Sequence, residues 1–266
     1  GLLALVIVLH HLTIHIEPDG LGMFFKPFAN IGFLAVAVFF FLSGYGLQKQ
    51  YLKNENYKND FLLKRLPTVL LPYIIINVVW LIATKCTLLD IFRGLFNGSP
   101  VVAHSWYVLS ILVFYVFFWL LMMVCKKRYC LMVVGGVIYY AVYTFVCYKA
   151  NFGAWWFNTP FLLVVGMFWA IYEEKILRFL KKHYYLSVFT VFAIFLIIFI
   201  FLTKASGFEF PIKSIVSALF FVMFLLLALL KFKVGNPILE YIGEISFELY
   251  LCHEIFLTLF KTVFVI

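Results

Sequence analysis

Three histidines, His10, His11 and His15, fall within the apolar run LLALVIVLHHLTIHI. Imidazole has an ordinary pKa of about 6.5, so a histidine held among apolar residues can accept a proton at neutral pH and act as a general base. It can equally hydrogen-bond a neighbouring helix. On a helix His10 and His11 diverge by about 100°, whereas His11 and His15 lie one turn apart and share a face. That spacing also suits two metal ligands, but no H-x-x-E-H pattern or adjoining carboxylate completes a site, and no metal is expected.

The final apolar segment contains GEISFELYLCHEIF at 243–256. On a helix Ser246, Tyr250 and His253 fall within about 60° of one another, while Glu240, Glu244 and Glu248 mark another face. The Ser–Tyr–His stripe reads either as a seam between helices or as the wall of a cavity beside Gly243. In FFFLSGYGLQ, Ser43 and Gly44, next to Tyr45, form a packing notch or leave room for a ligand. Lys64 and Arg65 in KRLPTVLLPY are either anchors at a membrane boundary or a clamp for phosphate, which the guanidinium fork suits. Trp106, Trp155 and Trp156 fit an interfacial belt or a surface on which a sugar stacks. Asn158 in WWFNTP is a further polar candidate for a cavity wall.

These residues need elements that can carry them through lipid. Of 266 residues, 12% are charged, 65% are apolar and 21% are aromatic, and mean hydropathy is +1.06. A water-soluble fold has too little polar surface at that composition, so soluble enzymes, nucleic-acid binders and secreted disulfide scaffolds are excluded. Five cysteines without a C-x-x-C pair read as small apolar residues. Nine runs approach the roughly 20 residues that cross a bilayer as helix: about 1–16, 28–48, 66–84, 105–125, 129–148, 156–172, 185–203, 212–230 and 240–262. The expectation is an all-α polytopic transmembrane bundle forming one domain over 1–266. Gly1 opens straight onto an apolar run and the span count is odd, so the chain reads as truncated at both ends, with ten spans in the full protein.

Loops after the even-numbered runs carry 14 of the 21 basic residues. The positive-inside rule puts those loops, and the amino end, in the cytoplasm. The net charge of +9 then reflects topology rather than nucleic acid.

In order along the chain, GLLALVIVLHH, FFFLSGY at 39–45, the basic-Leu-Pro…Pro-Tyr run at 64–73, SWYVLSIL at 105–112, WWFNTPFLLVVGMFWA at 155–170 and GEISFELYLCH at 243–253 resemble the bacterial membrane-bound acyltransferase 3 family. The resemblance covers essentially the whole chain. It implies an O-acyltransferase of the bacterial cytoplasmic membrane, taking an acyl group, often acetyl, from cytoplasmic acyl-coenzyme A. The acceptor would be a hydroxyl of an envelope or exported carbohydrate. No bound cofactor is implied; acyl-coenzyme A is a co-substrate. The family's essential first-helix histidine corresponds to His11. Its Arg-x-x-Arg pair matches at Arg65 but meets Thr68 at the second position, leaving Lys64 to share the donor-binding role, with Ser43 nearby. His10, Tyr45, Trp106, Asn158, Ser246, Tyr250 and His253 are expected to line the cavity. From the residues alone a transporter or flippase of a lipid-linked or acylated compound remains the competing reading.

Overall fold

The computed structural model describes residues 1–15, 22–102, 104–202 and 209–264, and within them the chain is helical. Its helices are α1 (Leu2–His15), α2 (Gly22–Phe25), α3 (Gly32–Lys53), α4 (Phe61–Thr84), α5 (Leu88–Phe96), α6 (Trp106–Cys125), α7 (Tyr129–Lys149), α8 (Phe161–Lys182), α9 (Tyr184–Leu202), α10 (Glu209–Leu229), α11 (Pro237–Glu244) and α12 (Ser246–Phe264). Short 3₁₀ turns cover Lys26–Asn30, Glu55–Lys58 and Ala154–Trp156.

Among the described residues, nine long helices sit on the nine apolar runs. Seven of them, α3, α4 and α6 to α10, are long and apolar enough to cross a membrane. Their outer faces leave large apolar side chains uncovered, among them Leu63, Ile82, Val124 and Phe189, a surface suited to lipid. This is a multi-pass membrane protein. Residues 16–21, the end of the first expected run and the start of the loop after it, and the segment 203–208 lie outside the described residues.

Several features differ from the sequence reading. The ninth run is two helices, because α11 ends at Glu244 and α12 begins at Ser246. The third run begins at Phe61, which places both Pro67 and Pro72 inside α4. The stretch expected as a plain outer loop after α4 contains α5, started by a reciprocal cap in which Thr87 and Asp90 satisfy each other's backbone N–H. Its Leu88, Leu89, Phe92 and Phe96 are all exposed, as an amphipathic helix at a lipid interface requires. Finally, only Cys147 among the cysteines is fully buried, and Cys130 is exposed.

The tightest seam joins α3 and α8. A Cβ on Gly44 would strike the Leu163 carbonyl, and one on Gly166 would strike the Phe41 carbonyl. The notch read in FFFLSGY is therefore a helix-packing surface, where absent side chains let backbones touch. The α1 helix packs on α3 and α12, and α4 packs on α6 and α12. Helices α1, α3, α6 and α12 thereby enclose a space at the end of the bundle where the 97–102 and 150–160 loops fold over.

Candidate active site

At that end lies a cavity of about 400 Å³. It is the end with fewer basic loop residues. His10 and His11 of α1, Gly32 of α3, Trp106 of α6 and Tyr250 of α12 contribute to its walls. The loops add Ser99, His104, Trp155, Asn158 and Thr159. His104 occupies a left-handed turn, φ 64°, directly before α6. The Tyr250 hydroxyl donates to the His104 backbone carbonyl, so α12 holds that turn in place. The Trp156 indole N–H donates to the Gly98 carbonyl at 2.8 Å and ties the two loops together.

The hydrogen bonds assign the histidine tautomers. His253 Nδ1 lies 2.6 Å from the Tyr250 backbone carbonyl. A carbonyl only accepts, so Nδ1 carries the hydrogen and the neutral ring leaves Nε2 as an acceptor. That Nε2 stands 2.5 Å from His11 Nδ1, so His11 Nδ1–H is the donor. His11 Nε2 is left with a free lone pair. His11 is buried, and its ring stacks on His104 with centroids 3.7 Å apart. His10 is used differently. Its Nδ1–H donates to the Phe28 carbonyl at 3.0 Å, and its ring lies so close over Gly32 that any Cβ there would collide with it.

Glu254 completes the cluster. It is buried, its Oε1 accepts from His15 Nε2 at 3.1 Å, and its Oε2 lies 3.8 Å from His104 Nε2, beyond hydrogen-bond range. Burial and the neighbouring imidazoles of His253, His10 and His15 push His104, outside the spans, down to about 4, so it is neutral at pH 7. Donor atoms of His11, His253 and Glu254 lie within 4.8 Å of one another. Two imidazoles and a carboxylate form a transition-metal donor set, so the carboxylate missing from the sequence pattern is present in space. The 2.5 Å between His11 and His253 nevertheless fits a shared hydrogen. Two nitrogens on one tetrahedral zinc stand about 3.3 Å apart.

A buried base with a fixed tautomer, facing a polar and aromatic cavity inside a membrane bundle, is equipped for proton abstraction. Among known families, the acyltransferase 3 model, described as an acyltransferase domain, matches residues 1–266. The chain belongs to the acyltransferase 3 family. No curated protein and no solved structure matches it.

Within this acyltransferase the residues singled out by sequence separate into groups. His10, His11, Trp106, Asn158 and Tyr250 line the large cavity, and His253 braces His11 from behind. Trp106 and Trp156 are buried, so neither belongs to a lipid-facing belt. Ser246 lines a second, smaller cavity with Tyr250. Ser43 is half-buried on α3, one turn after Phe39, which lines that same space. Tyr45 lies outside both cavities. It faces α8, where its hydroxyl donates to Glu173 at 2.9 Å and Lys49 pairs with the same carboxylate. The reason is helical phase, since Tyr45 and Ser43 point about 160° apart.

Arg65 and Lys64 are near the other end of the bundle. Arg65 is half-buried and donates from Nε to the Tyr57 hydroxyl at 3.0 Å. Lys64 is exposed and paired with Asp60, so it does not sit beside Arg65 as a second clamp. The Thr68 hydroxyl, at the family's second arginine position, donates to the Arg65 carbonyl at 2.8 Å. His104 and Glu254 were missed by the sequence reading. The signal for Glu254 was its place beside His253 on the α12 helix. For His104 there was only its position before SWYVLSIL.

Proposed function

We propose that this membrane acyltransferase moves an acyl group, acetyl or another short chain, from cytoplasmic acyl-coenzyme A to a hydroxyl of an exported or envelope carbohydrate, with His11 as general base. The reading is carried by one observation: His11 Nδ1–H is committed to His253, which leaves Nε2 as the basic nitrogen of a ring lining the cavity. An acceptor hydroxyl gives its proton to Nε2 as its oxygen attacks the thioester carbonyl. The C–O bond forms, the C–S bond breaks, and the departing coenzyme A thiolate takes that proton from the imidazolium, which returns His11 to its neutral form. The imidazolium formed in this step is steadied by its Nδ1–H bond to His253 and by the nearby Glu254 carboxylate. Asn158, Thr159, Ser99 and the Trp155 ring offer the hydroxyl-bonding and stacking surface a sugar requires.

The charge distribution supports placing the amino end in the cytoplasm and the large cavity at the outer face of a bacterial inner membrane. Arg65 would then meet donor phosphates from the cytoplasmic side. It lies eight residues before Tyr73, about 12 Å along α4, and the Tyr73 hydroxyl reaches Ser105 beside the cavity loop. The test is acyl transfer to glycan acceptor from labelled donor, normalised to membrane-inserted protein. His11→Ala should lose about 10²–10⁴-fold in rate, while His10→Ala keeps most activity. Full activity in His11→Ala overturns the assignment.

A further inference from the structure

Below the histidine cluster lies a second cavity, of about 120 Å³, walled by Ala4, Ile7, Phe39, Tyr107, Ser246 and Phe247 together with Val36 and Tyr250. Ile7, Val36 and Tyr250 also wall the large cavity, so these three side chains form a shared partition. Ile7 stands four residues before His11 and Tyr250 three before His253, which puts the partition one helical turn beneath the His11–His253 pair. We infer that this chamber is the acyl subsite: the thioester carbonyl sits at the partition, within reach of a hydroxyl activated by His11, and the acyl chain extends down between Ala4, Phe39 and Phe247.

This inference rests on the proposed reaction and adds what limits the acyl group. The walls are apolar apart from the hydroxyls of Tyr107, Ser246 and Tyr250. Tyr250 is committed to the His104 carbonyl. Such a space suits methylenes, whereas the two amides of a pantetheine arm would leave polar groups unpaired there. A water-sized group needs about 30 Å³, so 120 Å³ holds about four, which is a short chain. The step adds no new reactant. The acyl carbon exchanges its bond to sulfur for one to the acceptor oxygen, and the chain stays in the chamber until the ester leaves.

Chain-length discrimination follows from the walls. In an apolar pocket each methylene that fits or fails to fit changes specificity by about 10–200-fold. Phe39→Leu deepens the chamber and Ala4→Val fills it, both mild enough to leave the helices intact. The full chain in lipid nanodiscs would be given acetyl-, butyryl-, hexanoyl- and octanoyl-coenzyme A, with thiol release as the readout. A butyryl-coenzyme A bearing a terminal diazirine would be photolysed on the same protein and the labelled peptides identified. Phe39→Leu should move the preferred chain longer by at least one methylene, with a tenfold or greater change in the hexanoyl-to-acetyl ratio of kcat/KM. Ala4→Val should move it shorter, and the photolabel should fall on α3 near Phe39 or on α12 near Phe247. Turnover with an unchanged chain-length profile in both variants, or with label elsewhere, overturns the acyl subsite alone. So does an equal rise in KM for every donor in Ala4→Val, which would make the chamber a passage for the donor's arm. Absence of both thiol release and labelling with every donor overturns the acyl-coenzyme A reading, and the subsite falls with it.

Discussion

If His253 sets the tautomer of His11, removing its acceptor should damage catalysis without damaging the fold. In His253→Leu the His11 Nδ1–H loses its partner at 2.5 Å, and the ring no longer has a reason to keep Nε2 unprotonated. The loss is greatest once His11 carries the acceptor's proton, because the bond to His253 is then made by a charged donor. Hydrogen bonds to charged groups contribute about 1.5–3 kcal/mol, and about 1.4 kcal/mol is tenfold in rate. The expected fall in kcat is therefore about 10–150-fold, with little change in donor KM. His253→Gln supplies a side-chain carbonyl that can accept from Nδ1–H and should recover part of that loss. The Tyr250 carbonyl that His253 engages lies within α12, so neither variant strands a backbone group, and both should reach the membrane at near-normal levels. The assay is steady-state transfer at saturating donor, normalised to inserted protein, with thermal unfolding in detergent as the control. Wild-type kcat in His253→Leu, alongside an inactive His11→Ala, would refute the tautomer argument. Equal losses in the Leu and Gln variants would show that shape rather than the acceptor nitrogen matters.

Three further outcomes follow from the geometry. Glu254→Gln removes the carboxylate next to the imidazolium and should move the acid limb of the kcat/KM profile to lower pH while cutting kcat; an unmoved limb contradicts that role. Gly166→Ala drives a methyl into the Phe41 carbonyl and the Tyr45 nitrogen, and should destabilise the α3–α8 seam by about 1–3 kcal/mol, read as a lower melting temperature; a wild-type melt would show that the seam yields. His104 binds its proton at about 4 when folded, against 6.5 ordinarily, so between those values the unfolded chain holds more protons. Stability should be fully present above pH 6.5 and be lost progressively down to about pH 4, and His104→Gln should flatten that slope in melts taken across the range.

Membership of a polytopic helical bundle was legible in composition alone, because a chain with 65% apolar residues has no water-soluble solution. The nine apolar runs located the long helices, since bilayer thickness fixes the length a span must have. The histidines of the first segment were legible as candidates, being ionisable groups where burial makes one costly, but only the family resemblance preferred His11 to His10. Helical phase placed Ser246, Tyr250 and His253 on one stripe, and the structure puts two of them in a chamber and the third against His11.

The partners of those residues were not legible. His11 and His253 are 242 positions apart, His104 arrives from a loop, and Glu254 reaches both His15 and the neighbourhood of His104. Sequence spacing reports only neighbours on one helix, so it showed no carboxylate near His11 and supplied no reason to prefer one ring nitrogen over the other. The amphipathic α5 hid inside an outer loop for a related reason: nine residues are too few to register as a span. The sequence by itself determined that this protein is a membrane helical bundle and named several side chains within it that could carry a proton. Only the tertiary structure decided which of them meet, because a tautomer, a cavity wall and a counter-charge depend on distances between helices that are far apart along the chain.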